Sequence, residues 1–122
     1  MLKIIFSINM KFSIENQDNV VIFKLKNVNL DSEISAQLKA KLLILIQPDI
    51  EALIIDLTNV EYVDSSGLGA LLLAQRQIKE FGMTIILAGV SESVQSMFKI
   101  SQIHDVFLYA DDIEDALDRY VA

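Results

Sequence analysis

The string Asp64-Ser65-Ser66-Gly67-Leu68-Gly69 gathers two hydroxyls, a carboxylate and two glycines between an apolar run, Ala52 to Leu57, and a segment of helical periodicity. Two readings fit such a place. In the first, Ser65 or Ser66 caps a helix N-terminus, Asp64 complements the helix dipole and the glycines permit a tight turn. In the second, a serine at the helix start accepts a phosphate, which the dipole and the free amides partly offset. That phosphate would add about −1.5 to −2 charges beside Glu61 and Asp64. The fold would survive, and a partner docked over the loop would meet new bulk and repulsion.

Enzymatic chemistries fare poorly against the residues they need. No G-x-x-x-x-G-K-[ST] phosphate loop is present, and Gly67-Leu68-Gly69 continues to Leu72 where a dinucleotide fingerprint needs its third glycine. Ser65 and Ser66 lack the upstream glycine of a hydrolase elbow. A phospho-aspartate receiver would need an acidic pair after its first strand and a lysine after its last parallel strand. Lys26-Asn27 and Ala110-Asp111-Asp112 stand there instead, with the charge reversed at both ends. The expectation is a non-enzyme without a cofactor.

Composition narrows the classes further. The 122 residues make one domain, and 52% hydrophobic against 22% charged residues describe a folding chain. A net charge of −7 argues against nucleic acid and anionic membrane as partners, since both need a basic face. Cysteine is absent and histidine occurs once, at His104, so thiol chemistry and His-rich metal sites are excluded. Asp111, Asp112, Glu114 and Asp115 read as a solvated first helical turn and not as a metal site. No apolar stretch approaches the roughly 20 residues of a membrane span. Residues 1–9 read equally as an upstream extension or an ordinary extra strand or tail, with the domain proper over 10–122.

The elements that must position the serine loop follow from periodicity. Lys11 to Glu15 alternates polar and apolar, Gln17-Asp18-Asn19 is a turn, and Val20 to Leu25 is a second strand of a hairpin. Asp31, Ser32 and Glu33 suit a helix start, with Leu38, Leu42, Leu43 and Ile46 on one face and Pro48 as the stop. Ala52 to Leu57 reads as a buried strand, and 61–67 as a loop. A helix follows from Leu68, with apolar positions 71, 72, 78 and 81, ending at Gly82. Thr84 to Leu87 is a strand, and Ser91-Glu92 opens a helix with Val94, Met97, Phe98 and Ile100 or Ser101 on its face. His104 falls near the end of that segment. Val106 to Tyr109 is the last strand, and Asp111 to Tyr120 the last helix, with Ile113, Leu117 and Tyr120 inside. The order β-β-α-β-α-β-α-β-α predicts a single α/β domain with a mixed, mostly parallel sheet flanked by helices.

Leu71, Leu72, Leu73 and Ala74 exceed what one helical face needs. Either neighbouring helices bury them, or Ala70 or Leu73 lies in an exposed patch beside Ser65, rimmed by Gln75, Arg76 and Lys79. Asn29 and Asp31 belong to a loop expected at the same end of the sheet.

The serine loop, with Ala52 to Leu57 and Val60 to Val63 before it, resembles the STAS domain, and in particular the bacterial anti-sigma factor antagonists. The strand Thr84 to Gly89 and the helix from Ser91 support the likeness, which covers residues ~10–122. The resemblance implies a sheet with helices on its faces and phosphorylation of Ser65, with Ser66 as its neighbour. It implies partner binding through Asp64, Ser65, Ser66, Gly67, Leu68, Gly69, Leu73, Asn29 and Asp31. The implied partners are an anti-sigma factor that is itself a serine kinase and a metal-dependent serine phosphatase. The unphosphorylated domain would then sequester the anti-sigma factor in the cytoplasm and free a sigma factor for transcription. A different role implied by the same fold is a scaffold or accessory subunit, of a lipid-transport or sensory complex, that never meets a kinase. Asn27 stands where many members carry a glycine, and Asn tolerates the left-handed backbone such a turn can require.

Overall fold

Five strands form one sheet in the order β1-β2-β4-β6-β7, in a computed structural model that describes residues 9–121. They are β1 (Phe12–Gln17), β2 (Val20–Leu25), β4 (Ala52–Asp56), β6 (Thr84–Ala88) and β7 (Leu108–Ala110). β1 runs antiparallel to β2, and every later pairing is parallel. The turn between β1 and β2 places Asp18 at φ 54°, a left-handed position that Asp tolerates. All five residues of β4 are buried, as its run of apolar residues predicts for a strand covered on both faces. Residues 1–8, most of the stretch read as an extension or tail, lie outside the described residues.

Alternation sorts the strand side chains into two layers. Val21, Phe23, Leu53, Ile55 and Leu87 join the larger core with α1 (Ser35–Leu45), α2 (Ser65–Glu80) and α3 (Glu92–Ile100). Val20, Ile22, Ala52, Ile54 and Ile86 face the other way, under α4 (Ile113–Tyr120). Fully burying a Leu or Phe contributes roughly 1.5–3 kcal/mol. Phe23, Leu38, Leu42, Leu71 and Phe98, all 0% exposed, therefore hold three helices on one face. The last helix docks through Ala116, with Ile113, Leu117 and Tyr120 packed around it as the periodicity predicts.

Several expectations need correction. Residues 29–30 and 62–63, expected in loops, form two short strands, β3 (Asn29–Leu30) and β5 (Tyr62–Val63), which pair in parallel as a second small sheet. Two-residue strands leave no periodicity to read. α1 starts at Ser35 and not at Asp31 or Ser32, because Asp31 folds a turn: its carboxylate takes the Glu33 amide and its carbonyl takes those of Ile34 and Ser35. Leu43 is 38% exposed and off the buried stripe of Leu38 and Leu42. α2 begins three residues earlier than Leu68, and Phe81 is left exposed beyond its end. That end is closed by Gly82 at φ 71°, whose amide reaches Lys79 while Met83 reaches Ile78. Ile100 is 83% exposed, since Val94 and Phe98 already fill the contact face of α3. Val106 ends a 3-10 turn (His104–Val106), so the last strand starts at Leu108.

Asn27 does not use a left-handed backbone. Its side chain ties the hairpin instead, accepting from the Lys11 amide at 2.7 Å and donating to the Asn9 carbonyl at 2.9 Å.

Candidate functional site

The small β3–β5 sheet sets the serine loop against the rest of the domain. Asn29 pairs with Tyr62 and Leu30 with Val63, and the Asp64 amide donates to the Leu30 carbonyl at 3.1 Å. The chain leaves β5 at Val63 and enters α2 at Ser65, so Asp64 is the residue that caps the helix. Its Oδ1 accepts from the Gly67 amide at 2.9 Å and from the Ser66 hydroxyl at 2.7 Å; Oδ2 accepts from the Ser32 amide at 3.2 Å. The cap is therefore the aspartate and neither serine. These donors favour the charged form: the Ser66 hydroxyl first, then the Gly67 amide, hold the Asp64 carboxyl below the usual aspartate value of 3.8 against a smaller desolvation effect.

Gly67 is required by packing. A Cβ there would lie 2.5 Å from the Leu30 carbonyl oxygen and 2.6 Å from Leu30 Cγ. The first turn of α2 thus presses directly on β3. Gly69, two residues on, is exposed and has no atom within 4 Å of where a Cβ would stand. One glycine seats the helix, and the other leaves open space.

The two serines are not equivalent. Ser66 is half-buried and its hydroxyl is spent on Asp64. Ser65 occupies the first helical position, is exposed, and among the described residues its hydroxyl makes no hydrogen bond. The positive end of the helix dipole lies beside it.

The structure brings the sequence-predicted residues to one end of the domain. Asn29 is exposed opposite Tyr62, and Asp31 is half-buried next to Ser32, whose amide reaches Asp64. Leu68 is half-buried against the large core. Leu73 shares a groove with Ser66 and Gly69. Ala70 lies on the buried side at 3% exposure, so of the two residues considered for an exposed patch only Leu73 is partly open. Sequence reading missed Ser32, a helix-start candidate that in fact braces the Asp64 carboxylate. It also missed Lys39 and Ala36 of α1, which line the groove from the opposite wall. Their helical spacing could mark them as the flank of α1, but nothing in a single sequence says that α1 lies beside α2. Tyr62 and Val28, 49% and 51% exposed, add apolar surface at the same end, joined by the Val28 carbonyl accepting from Glu61 and Tyr62.

The acidic end of the chain is arranged differently. Asp112 caps α4, and Asp115 accepts from the Asp111 amide and faces Arg119. His104 is half-buried and stacks on Tyr109 at 4.7 Å between ring centroids. Among the described residues no group of three His, Cys, Asp or Glu side chains is placed to hold a metal ion, and no helix is long and apolar enough to cross a membrane.

A helix-flanked mixed sheet with an aspartate-capped Ser-Ser-Gly helix start is the architecture of a STAS domain. The family model of the STAS domain matches residues 11–116, and the chain belongs to that family. It is 27% identical over 107 residues to BtrV of Bordetella bronchiseptica, a protein described as a candidate anti-sigma factor antagonist, covering 88% of this chain and 91% of BtrV. The anti-sigma factor antagonist SpoIIAA of Bacillus superposes with a TM-score of 0.69 at 26% identity, over 89% of this chain. Its unphosphorylated form is covered over 96% of its length and its phosphorylated form over 98%. A candidate antagonist from Thermotoga maritima superposes with a TM-score of 0.76 over 88% of this chain and 92% of that one, and at 22% identity it speaks for the fold alone.

Proposed function

We propose that this chain is an anti-sigma factor antagonist, a binding module without catalytic activity whose switch is phosphorylation of Ser65. The observation that carries this reading is the asymmetry of the two serines. Ser65 offers an exposed, unbonded hydroxyl at the positive end of α2, while the Ser66 hydroxyl is held by Asp64. A kinase needs an accessible hydroxyl, and a phosphate at a helix start is tolerated by the helix itself. The likeness to BtrV and to a protein known in both phosphorylation states supports the same role. Unphosphorylated, the surface made by Asn29, Asp31, the loop from Asp64 to Gly69 and Leu73 captures an anti-sigma factor that is also a serine kinase. That capture releases a sigma factor for transcription. A metal-dependent serine phosphatase resets the switch. The surface that meets the partner is acidic, in keeping with a protein partner and not nucleic acid.

The test is incubation with ATP and the anti-sigma kinase of the same genome, followed by mass spectrometry and a binding assay. Phosphate is expected on Ser65, absent in Ser65→Ala, with Ser65→Asp losing the complex. If Ser65→Asp binds as wild type does and no phosphate is transferred, the chain is instead a scaffold or accessory STAS subunit.

A further inference from the structure

Between α1 and α2, beginning at Ser66, runs an open groove of about 500 Å³. Its floor is apolar and shallow, from Ala70, Leu72 and Leu73, and Gly69 keeps its mouth clear. Lys39 from α1 and Arg76 from α2 stand on its two sides, and no lining residue carries a carboxylate. Both cations are exposed. Lys24 pairs with Asp56 and Arg119 with Asp115, whereas among the described residues neither groove cation has an ion-pair partner. In a chain of net charge −7 this is a local reversal of sign on an apolar floor.

We infer that this groove seats an acidic amphipathic segment of the anti-sigma factor. The inference rests on the reading of Ser65 as the switch and adds the chemistry of what the switch controls. An acidic occupant gains from Lys39 and Arg76, while the rest of this surface repels it, which fixes where it docks. Apolar side chains of the occupant cover Leu72 and Leu73.

The test measures affinity of the purified cognate anti-sigma factor for wild type and three variants. Lys39→Glu/Arg76→Glu should weaken binding by about tenfold or more, with wild-type affinity falling as salt rises. Gly69→Trp, whose side chain starts in open space, should fill the groove mouth and weaken binding without lowering the melting temperature. Lys11→Glu/Lys99→Glu makes the same change in net charge at exposed positions outside the groove and should stay within about twofold of wild type. Wild-type affinity retained by both groove variants overturns the groove and leaves the Ser65 reading standing. So does an equal loss in the Lys11/Lys99 control, which would make the effect one of net charge. No binding by wild type overturns both readings.

Discussion

The first turns of α2 and α4 are each capped by an aspartate that accepts from the amide three residues on: Gly67 to Asp64 at 2.9 Å, and Asp115 to Asp112 at 2.7 Å. What fills the turn differs at every position. After Asp112 come Ile113, Glu114 and Asp115, and Asp115 bonds back to the Asp111 amide and across to Arg119. After Asp64 come Ser65, Ser66 and Gly67, with no acid in the turn and one hydroxyl left without a partner. The α4 start spends Asp112 and Asp115 on its own amides and on Arg119, and has room for a side chain at the third position. The α2 start gives up that side chain to sit on Leu30 and leaves Ser65 to solvent. The same capping device thus makes a closed helix start in one place and an open one in the other.

The comparison breaks most sharply at its third position. Gly67→Ala should cost about 2 kcal/mol in chemical denaturation, because the new methyl must displace the Leu30 backbone. Gly69→Ala, on the open side of the same helix, should stabilise by up to about 1 kcal/mol. If both changes have the same sign, Gly67 does not seat the helix as described.

Removing the caps comes next. Asp112→Ala should cost about 1 kcal/mol. Asp64→Ala should lower the melting temperature further than Asp112→Ala does, since Asp64 also receives Ser32 and Ser66. Equal losses would mean that the brace across to Ser32 adds nothing.

Acid sharpens the same contrast. The Asp64 carboxyl has its folded pKa below 3.8, so its contribution to stability is full above that value and is lost as pH falls through the folded pKa. Asp64→Asn should therefore flatten the dependence of stability on pH below 3.8. A variant as acid-sensitive as wild type would assign that dependence to other carboxylates.

The smallest effect separates the two hydroxyls. Ser66→Ala should cost about 1 kcal/mol, the usual net worth of a hydrogen bond. Ser65→Ala should change stability by less than about 0.5 kcal/mol, as for an exposed side chain without partners. A larger loss at Ser65 would reveal a bond that the free hydroxyl is not expected to have.

Much of this arrangement could be read before any coordinates. Ala52 to Asp56 announces a covered central strand because a parallel strand buried on both faces needs apolar residues on both. Asp64-Ser65-Ser66-Gly67 announces a helix start because few other residue types satisfy its amides. Which of the three polar residues caps could not be read, since Asp and Ser are equally good at it. That choice was made by β3, whose carbonyl at Leu30 fixes the Asp64 amide and whose bulk excludes a side chain at Gly67.

The sequence by itself determined the order of the main-sheet strands and the α-helices, the helix-bearing character of the sheet and the place of the serines, because periodicity and capping act over a few residues. Only the tertiary structure decided that Ser65 is free while Ser66 is bound, and that Lys39 faces Arg76 across a groove. The groove joins residues 35–39 to 66–76, and the Asp64 that holds Ser66 is itself fixed through Leu30; such distant partners are chosen by the crossover of α1 and α2 onto one face of the sheet. Local pattern carries no record of that choice.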